Sequence, residues 1–347
     1  MHHTMFHTFF VLMFSLATLF LGMPSTAQAQ NVQYTMRLGA TQGMDMAYVR
    51  SLREIAAAIQ QRSGGQIKVE ILLGGEAGSE ISMVKNQIEG RLEGAFISAS
   101  TLSQTIPAYA MLLTPRLFVT PNQLLQFIGS RNDQRLRRRA MRKQLQVLGY
   151  GGTGFYGILS RGDGQWQSMQ ENKDVVRTPS VPVHQDGVEA MGLRASYVPV
   201  GEISKAISND WLQGISSTPE LLDRTRLLPS FRHFYPTRHI YGWMVFTVSN
   251  RWYANLPKEL RKVVREAADA VLRHSFSYSL KVEQKLLNQW SAGSGPALAT
   301  VPERALAEQL QPWVGEHLQK VERAMRLHNK LWRLWIQNNG LDEAVNP

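Results

Sequence analysis

Residues 32–98 begin with VQYTMRLG and end with LEGAFIS, and they alternate between two kinds of hydrophobic periodicity. Three runs in this segment have the apolar alternation or short apolar blocks that are typical of strands. Between these runs, apolar side chains recur at helical spacing from Tyr48 to Ile59, and Ser79 can cap a second helical run. The order strand, helix, strand, helix, strand predicts an α/β fold with a parallel sheet.

An arginine stands at the end of a further predicted strand, in the segment VVRTP at residues 175–179. Two β-branched residues lead into Arg177 and a proline follows, which predicts a buried strand end that opens into a loop. Ligands of α/β sheets collect at the carboxyl ends of strands, which here include the loops after Leu38, Leu73 and Ile97. A guanidinium in such a cleft matches both oxygens of a carboxylate. The alternative is a structural arginine that pairs with a neighbouring acid.

The first 29 residues have the features of a secretory signal peptide. An apolar run from Phe9 to Met23 is followed by Pro24 and by the small residues of AQA at positions 27–29. The run is short for a membrane span and no later stretch is apolar enough for one, so we expect cleavage near Gln30 and a soluble exported protein. The chain contains no cysteine, so burial of its core alone must stabilise it after export. Its length suits two lobes.

The chain carries a formal net charge of +11, and much of that charge is local. Six basic residues crowd one short segment, namely Arg135, Arg137, Arg138, Arg139, Arg142 and Lys143. A segment with so few apolar residues is usually the solvated face of a helix. The charge also suits a polyanion, but export argues against nucleic acid as the partner. A docking surface for a membrane partner is the remaining interpretation of this charge.

The glycines of GYGGTG at residues 149–154 satisfy the G-x-G-x-x-G spacing of a dinucleotide-binding loop. Such a loop requires a helix to begin at once, so that the helix N-terminus faces the pyrophosphate. The residues that follow, FYGILS at 155–160, are strand-like instead. We therefore expect no nucleotide cofactor, and we interpret the glycines as a crossing point between lobes or as a close approach of backbone to ligand.

Two serines, Ser216 and Ser217, belong to a run of three hydroxyl residues that either lines a pocket or caps a turn. A secreted hydrolase would use one of these serines as nucleophile, with His233 or His239 as base and Asp210 as the third group. The segment lacks the glycine two residues after a serine that a nucleophile elbow needs, which disfavours an enzyme. No cluster of His, Asp and Glu has metal-ligand spacing, so no metal is expected.

The longest predicted helix extends from Asn255, as its N-cap, through Pro257 in the first turn to about Trp290. A helix of about 50 Å exceeds the width of one small lobe, so we expect it to cross both lobes. A last amphipathic segment at residues 303–337 has an apolar stripe that is typical of packing.

Several short segments follow one another in a specific order and spacing, namely GSE at 78–80, GRLE at 90–93, PRLF at 115–118, VRTP at 176–179, Pro199 with Glu202, Gly214, and SNRWYANLP at 249–257. This order gives a resemblance to the DctP family, the solute-binding proteins of tripartite ATP-independent periplasmic (TRAP) transporters, over nearly all of the chain after the leader. The resemblance implies two α/β lobes joined by crossing strands, a ligand cleft between them, and delivery to a membrane permease from the periplasm. It also implies that Arg177 pairs with the carboxylate of the ligand.

The chain departs from the family pattern around the expected cleft. Tyr156 stands where the family often has a second arginine, and Val200 replaces an aromatic residue. Ser216 and Ser217 replace an acid or amide pair. Loss of the second arginine lowers the positive charge of the cleft, which favours a monocarboxylate over a dicarboxylate. The candidate ligand-binding residues are Arg177, Tyr156, Ser216, Ser217, Val200 and Phe155.

The resemblance divides the chain into a signal peptide at 1–29, a first lobe at 30–153 and 243–290, and a second lobe at 154–242 and 291–347. We predict a two-lobed α/β binding protein, without enzymatic activity or cofactor, that captures a small organic anion and delivers it to a TRAP permease. The alternative is the same fold used as a periplasmic ligand sensor or adaptor without transport.

Overall fold

The computed structural model describes residues 32–341 except 44, 199–201, 226 and 327–329. The predicted signal peptide therefore lies outside the described residues. Within the described part of the chain, no helix is both long and apolar enough to cross a membrane.

The first sheet has five strands and contains most of the segment with which the sequence analysis began. In spatial order its strands are β2 (Ile67–Leu72), β1 (Tyr34–Gly39), β3 (Gly94–Ser98), β10 (Tyr241–Ser249) and β4 (Leu145–Phe155). Strand β1 pairs in parallel with β2 and β3, as predicted, whereas β10 is antiparallel to β3 and β4. The late strand β10 thus completes a sheet that the early part of the chain begins.

The second sheet has six strands and belongs to the other lobe. In spatial order its strands are β11 (Ala297–Leu298), β9 (His233–Tyr235), β5 (Gly157–Ser160), β8 (Gly214–Ser217), β6 (Val175–Thr178) and β7 (Arg194–Tyr197). Strand β6 is parallel to both β7 and β8, and β5 is antiparallel to β8 and β9. The two sheets confirm the predicted two-lobed α/β fold.

Helices cover the sheets and connect their strands. In chain order they are α1 (Ala47–Arg62), α2 (Glu80–Glu89), α3 (Ala99–Thr105), α4 (Pro121–Phe127), α5 (Arg131–Arg142), α6 (Trp166–Glu171), α7 (Pro182–Ala190), α8 (Ile203–Ser208), α9 (Pro219–Arg224), α10 (Asn250–Asn255), α11 (Lys258–Ser291), α12 (Glu303–Met325) and α13 (Lys330–Asn338), with 3-10 helices at Pro107–Leu113 and Leu228–Ser230. The Ser79 side chain accepts a hydrogen bond from the backbone N–H of Ser82 at 3.2 Å, so the predicted cap of α2 is confirmed.

Helix α11 is 34 residues long, about 51 Å, and it contacts both lobes. Its N-terminal half contributes Val264 and Leu272 to the core around the first sheet. Its C-terminal half contributes Leu286 and Trp290 to a core around the second sheet. The prediction of one helix that crosses both lobes is confirmed.

The start of this helix differs from the prediction. Asn255 is the last residue of the short helix α10, and Pro257 is the N-cap of α11. The difference has a steric cause, because a proline disfavours the helical region for the residue before it. Leu256 accordingly has φ −71° and ψ 146°, which separates the two helices.

The glycine-rich segment at 149–154 lies inside β4, and not in a loop. A Cβ atom on Gly149 would lie 2.5 Å from Leu272 Cδ1, and one on Gly152 would lie 2.2 Å from the hydroxyl of Tyr241. The glycines therefore allow α11 and β10 to pack closely against the strand. Directly after β4, the chain passes through Tyr156 into β5 of the second sheet, so the crossing between the lobes lies just after the glycine-rich segment.

The amphipathic segment predicted at residues 303–337 forms two helices, α12 and α13. The chain turns at Arg326, which has φ 56°, and this turn ends α12. Helix α13 packs against the first lobe, where the indole Nε1 of Trp335 donates to the carbonyl of Pro115 at 2.7 Å and Asn338 Nδ2 donates to the carbonyl of Leu117 at 2.6 Å.

Candidate functional site

A cavity of about 250 Å³ lies between the two sheets. Its walls come from the first sheet and its helices, from the crossing segments and from the second sheet. The side chains that line it include Glu80, Tyr156, Arg177, His184, Ser217 and Trp243. The cavity thus lies in the cleft position that the two-lobed fold predicts.

Arg177 reaches this cavity from the middle of the second sheet. It lies on β6 between β7 and β8, and only 8% of the residue is exposed. Its Nε donates to the carbonyl of Val198 at 3.0 Å. Burial lowers the pKa of the guanidinium below its ordinary value. Burial disfavours the charged form of this side chain, so the fold holds the Arg177 cation in an environment of low dielectric constant.

No carboxylate among the described residues lies within 4.0 Å of the Arg177 guanidinium. The alternative of a structural ion pair therefore has no support within the described chain. A buried charge without a counter-charge is unfavourable, and an anionic ligand at the guanidinium would remove that penalty. The remaining donors of the planar fork suit a carboxylate.

Tyr156 lies at the crossing between β4 and β5 and also lines the cavity. Its ring centroid lies 5.3 Å from that of His184 and 6.0 Å from that of His239. Burial raises the pKa of Tyr156, and the charge of Arg177 opposes this rise only in part. The phenol is therefore neutral and can donate one hydrogen bond to a ligand.

His184 belongs to the same wall, although the sequence offered no reason to select it. Its Nε2 lies 2.9 Å from Ser100 Oγ, and its Nδ1 is buried without a hydrogen-bond partner among the described residues. Burial, and then the charge of Arg177, lower the pKa of His184 to about 4. The imidazole is therefore neutral near pH 7, and one ring nitrogen is free to accept or donate according to the tautomer.

Glu80 supplies a carboxylate to the opposite wall. It is the first residue of α2, and its Oε2 accepts from Ser98 Oγ at 2.5 Å and from Thr101 Oγ1 at 2.6 Å. Its Oε1 has only a 3.5 Å contact with Thr41 Oγ1. This second oxygen can accept hydrogen bonds from hydroxyl groups of a ligand. The sequence could have indicated Glu80 as a site residue, because Glu80 follows β2 at the carboxyl end of the sheet, where ligands bind.

The two predicted serines have different positions. Ser217 lines the cavity, whereas Ser216 lies behind the wall, where its Oγ is 3.0 Å from His239 Nε2. His239 Nδ1 lies 2.6 Å from Thr237 Oγ1, and burial lowers the pKa of His239 to about 3. Asp210 is an exposed ion-pair partner of another residue and does not approach His239. The described geometry thus assembles no Ser-His-Asp triad.

One further predicted residue, Phe155, is not part of the cavity wall. Phe155 packs its ring on Tyr241 with centroids 5.0 Å apart, and its backbone N–H donates to Glu283 Oε2 at 2.8 Å. It therefore belongs to the crossing segment beside α11. Val200 lies outside the described residues. The predicted residues that the structure brings together at the cavity are Arg177, Tyr156 and Ser217.

A buried carboxylate connects the two lobes next to the cavity. Glu220 on α9 follows β8 of the second sheet, and its Oε1 accepts from the backbone N–H of Ala47 at the start of α1 at 2.8 Å. Its Oε2 is buried without a partner among the described residues. Burial raises the pKa of Glu220 to about 7, and the hydrogen bond from Ala47 and the nearby charge of Arg224 oppose this rise only in part.

This carboxylate predicts a pH dependence of stability. The folded-state pKa of Glu220 is about 7 and the unfolded value is ordinary, so folding takes up a proton. The free energy of unfolding should therefore rise by about 1 kcal/mol when the pH falls from about 8 to about 6. Glu220→Gln should remove that part of the slope in urea unfolding at several pH values. Glu76→Gln, on an exposed loop, is the matched control, and an equal change in both variants would contradict the assignment.

Comparisons with known proteins agree with this architecture. The sequence profile of the family described as bacterial extracellular solute-binding protein, family 7 (DctP) matches residues 40–321. A solute-binding protein of Sulfitobacter sp. strain NAS-14.1 is 22% identical over 256 residues, 73% of this chain and 75% of that protein. The C4-dicarboxylate-binding protein DctB of Bacillus subtilis is 21% identical over 238 residues, 68% of this chain and 67% of that protein.

Solved structures are similar over an even larger share of the chain. A TRAP periplasmic solute-binding protein of Ochrobactrum anthropi has a TM-score of 0.79 at 19% identity and covers 89% of this chain and 97% of its own. A TRAP periplasmic solute-binding protein from Sulfitobacter sp. NAS-14.1, solved with bound β-D-galacturonate, has a TM-score of 0.75 at 16% identity. The match covers 88% of this chain and 99% of that chain. At these identities the likeness shows the fold, and the profile match shows the family. The chain belongs to the DctP family, the bacterial extracellular solute-binding proteins of family 7.

Proposed function

We propose that this protein captures a small hydroxylated monocarboxylate, of the sugar-acid type, in the cavity between its lobes and delivers it to a TRAP permease from the periplasm. The observation that carries the proposal is the buried Arg177 guanidinium at the cavity wall, which has no counter-charge within 4.0 Å among the described residues. The family supplies the role of a binding protein rather than an enzyme.

The charge balance of the cavity supports a single carboxylate. Arg177 is a cation in the wall from the second sheet, and Glu80 is an acid in the opposite wall. A second carboxylate on the ligand would meet the neutral Tyr156 in place of a second arginine, and it would be repelled by Glu80. A ligand with one acid group and several hydroxyls instead offers donors to Glu80 Oε1 and acceptors to Tyr156 and Ser217.

The ligands of similar proteins support the same class. The relative from Chromohalobacter salexigens was solved with D-glucuronate, and that from Advenella mimigardefordensis with galactonate. Each of these molecules carries one carboxylate and several hydroxyls. We infer that Arg177 holds the carboxylate of a comparable ligand here.

We further propose which parts of the chain close on the ligand. One body is residues 30–153 with 243–290, and the other is residues 154–242, joined by the crossing segments and α11. Helix α13, which the sequence assigned to the second lobe, packs against Pro115 and Leu117 of the first and would move with it. Contacts from both bodies to one ligand would favour the closed state, which is the usual basis of closure in two-lobed binding proteins.

A thermal-shift panel tests the proposed ligand class. We expect D-galacturonate, D-glucuronate or a related sugar acid to raise the melting temperature, because a ligand at 100 times its Kd stabilises by about 2.7 kcal/mol. Galactose, which lacks the carboxylate, and succinate, which has two carboxylates, are the controls for a missing and for an additional charge on the ligand. Stabilisation by galactose equal to that by galacturonate, or by succinate alone, would contradict the proposal.

A further inference from the structure

Helix α5 carries a stripe of basic residues that the ligand site does not use. Arg131, Arg135, Arg138 and Arg142 follow one another at spacings of four, three and four, so they share one face of the helix. The opposite face is buried through Asp133, Leu136 and Ala140. The stripe therefore points away from the core.

This stripe lacks counter-charges. No carboxylate of the described residues lies within 4.0 Å of its four arginines or of Lys143, whereas Arg137 pairs with the buried Asp133 at 2.8 Å. Burial, and then the guanidinium groups of Arg142, Arg326, Arg135 and Arg138, lower the pKa of Arg139. Mutual repulsion of this kind is unfavourable within the isolated molecule and would be relieved by a polyanionic partner.

Two grooves lined in part by aliphatic side chains lie at helix α5, and Arg137 lines both of them. One, of about 270 Å³, has Met141 and Leu148 in its lining together with Arg138 and Arg265. The other, of about 420 Å³, has Leu125, Ile128 and Leu272 in its lining together with Arg273. The acidic Asp269 lies at both grooves. Leu125 is 51% exposed and Met141 is 37% exposed, so aliphatic and cationic groups are accessible side by side.

We propose that this surface, the basic face, docks the protein on an anionic phospholipid bilayer. The basic face consists of Arg131, Arg135, Arg138 and Arg142 of α5, its C-cap Lys143, and Arg265 and Arg273 of α11. Guanidinium groups bind phosphate oxygens through a matched planar fork, and interfacial helices combine such charge with exposed aliphatic side chains. Basic clusters gain affinity for anionic leaflets roughly in proportion to their number of Lys and Arg residues.

The chemistry of the basic face favours a bilayer over nucleic acid. The exposed large apolar side chains of the grooves, Leu125 and Met141, are aliphatic, and the aromatic Tyr150 is buried. Proteins that bind single-stranded nucleic acid instead present aromatic side chains for base stacking. The basic face is also remote from the ligand. Strand β4 begins beside the basic face at Leu145 and ends beside the cavity at Phe155, a distance of about 30 Å. Docking on a membrane would therefore leave the ligand cavity free.

Vesicle co-sedimentation tests this proposal, with the exported protein checked by mass spectrometry for loss of its apolar leader. We expect binding to vesicles of equimolar phosphatidylglycerol and phosphatidylcholine at low salt, release at high salt and no binding to pure phosphatidylcholine. The double variant Arg138→Glu with Arg142→Glu should lower the partition coefficient by about tenfold or more. The matched control is Arg194→Glu with Lys205→Glu, which makes the same change of net charge at exposed positions of the second lobe and should retain binding.

Three outcomes would overturn the proposal: equal binding to neutral vesicles, equal loss in both double variants, or no binding to anionic vesicles at low salt. Soluble glycerol phosphate at the same phosphate concentration should not compete, and full competition would point to a free phosphate site instead. Circular dichroism and thermal unfolding check that the variants are folded. The thermal shift by sugar acids should persist in both double variants, so failure of the docking proposal is distinguishable from failure of the proposed ligand class.

Discussion

Arg177→Ala should abolish the thermal shift that a sugar acid produces in the wild-type protein, with a loss of about 100-fold or more in affinity. The guanidinium is almost completely buried at the cavity wall, so its attraction to a carboxylate is screened little by water. Truncation would leave the carboxylate of the ligand in a low-dielectric cleft without a partner. Loss of one partner in such a charge pair costs about 2 to 5 kcal/mol. Isothermal titration calorimetry with the stabilising acid measures the change directly.

The unliganded form of the same variant gives an independent check. Arg177 is buried without a counter-charge among the described residues, so its removal should leave the stability of the free protein within about 1 kcal/mol of the wild type. Arg177→Lys is the matched control, because it keeps the charge and loses the planar fork, and it should retain part of the affinity. Wild-type affinity in the alanine variant would contradict the role of Arg177 in ligand binding.

Much of the fold was predictable because it depends on local patterns. The apolar alternation of β1 and β2 and the cap at Ser79 describe the first lobe correctly, since each pattern reflects burial of one face or satisfaction of one helix end. The boundary between α10 and α11 was wrong because two signals competed. A capping asparagine and a proline stood two residues apart, and the proline dominated.

The site was harder to predict because its residues are far apart in the sequence. Arg177 was recognisable from its strand end, but His184 lies on the following helix with no distinguishing neighbours. Its role depends on Ser100 and Tyr156, which reach it only through folding of the two lobes together. Ser216 and Ser217 alternate on a strand, so only one of them can face the cavity.

Trp243→Ala should produce the largest loss of stability of any substitution proposed for this chain, about 3 to 5 kcal/mol. Trp243 lies on β10, is 1% exposed and also borders the cavity. Its indole is surrounded by aromatic rings with centroids 5.2 to 5.7 Å away, those of Phe118, Phe127, Tyr150, Tyr241 and Phe276. Removal of the indole would leave a void between the first sheet and α11, because these rings are held by separate elements and cannot all move inward.

Urea unfolding followed by circular dichroism measures this loss, and the chain offers two controls. Trp211→Ala removes the same side chain from a position that is 62% exposed, and it should change the free energy of unfolding by less than about 0.5 kcal/mol. Trp243→Phe keeps a ring in the cluster and removes an indole Nε1 that has no hydrogen-bond partner among the described residues, so its loss should be only about 1 to 2 kcal/mol. Equal losses in Trp243→Ala and Trp211→Ala would show that the aromatic cluster does not stabilise the first lobe. A large loss confined to Trp243→Ala would instead show that the buried indole supports the core of the first lobe.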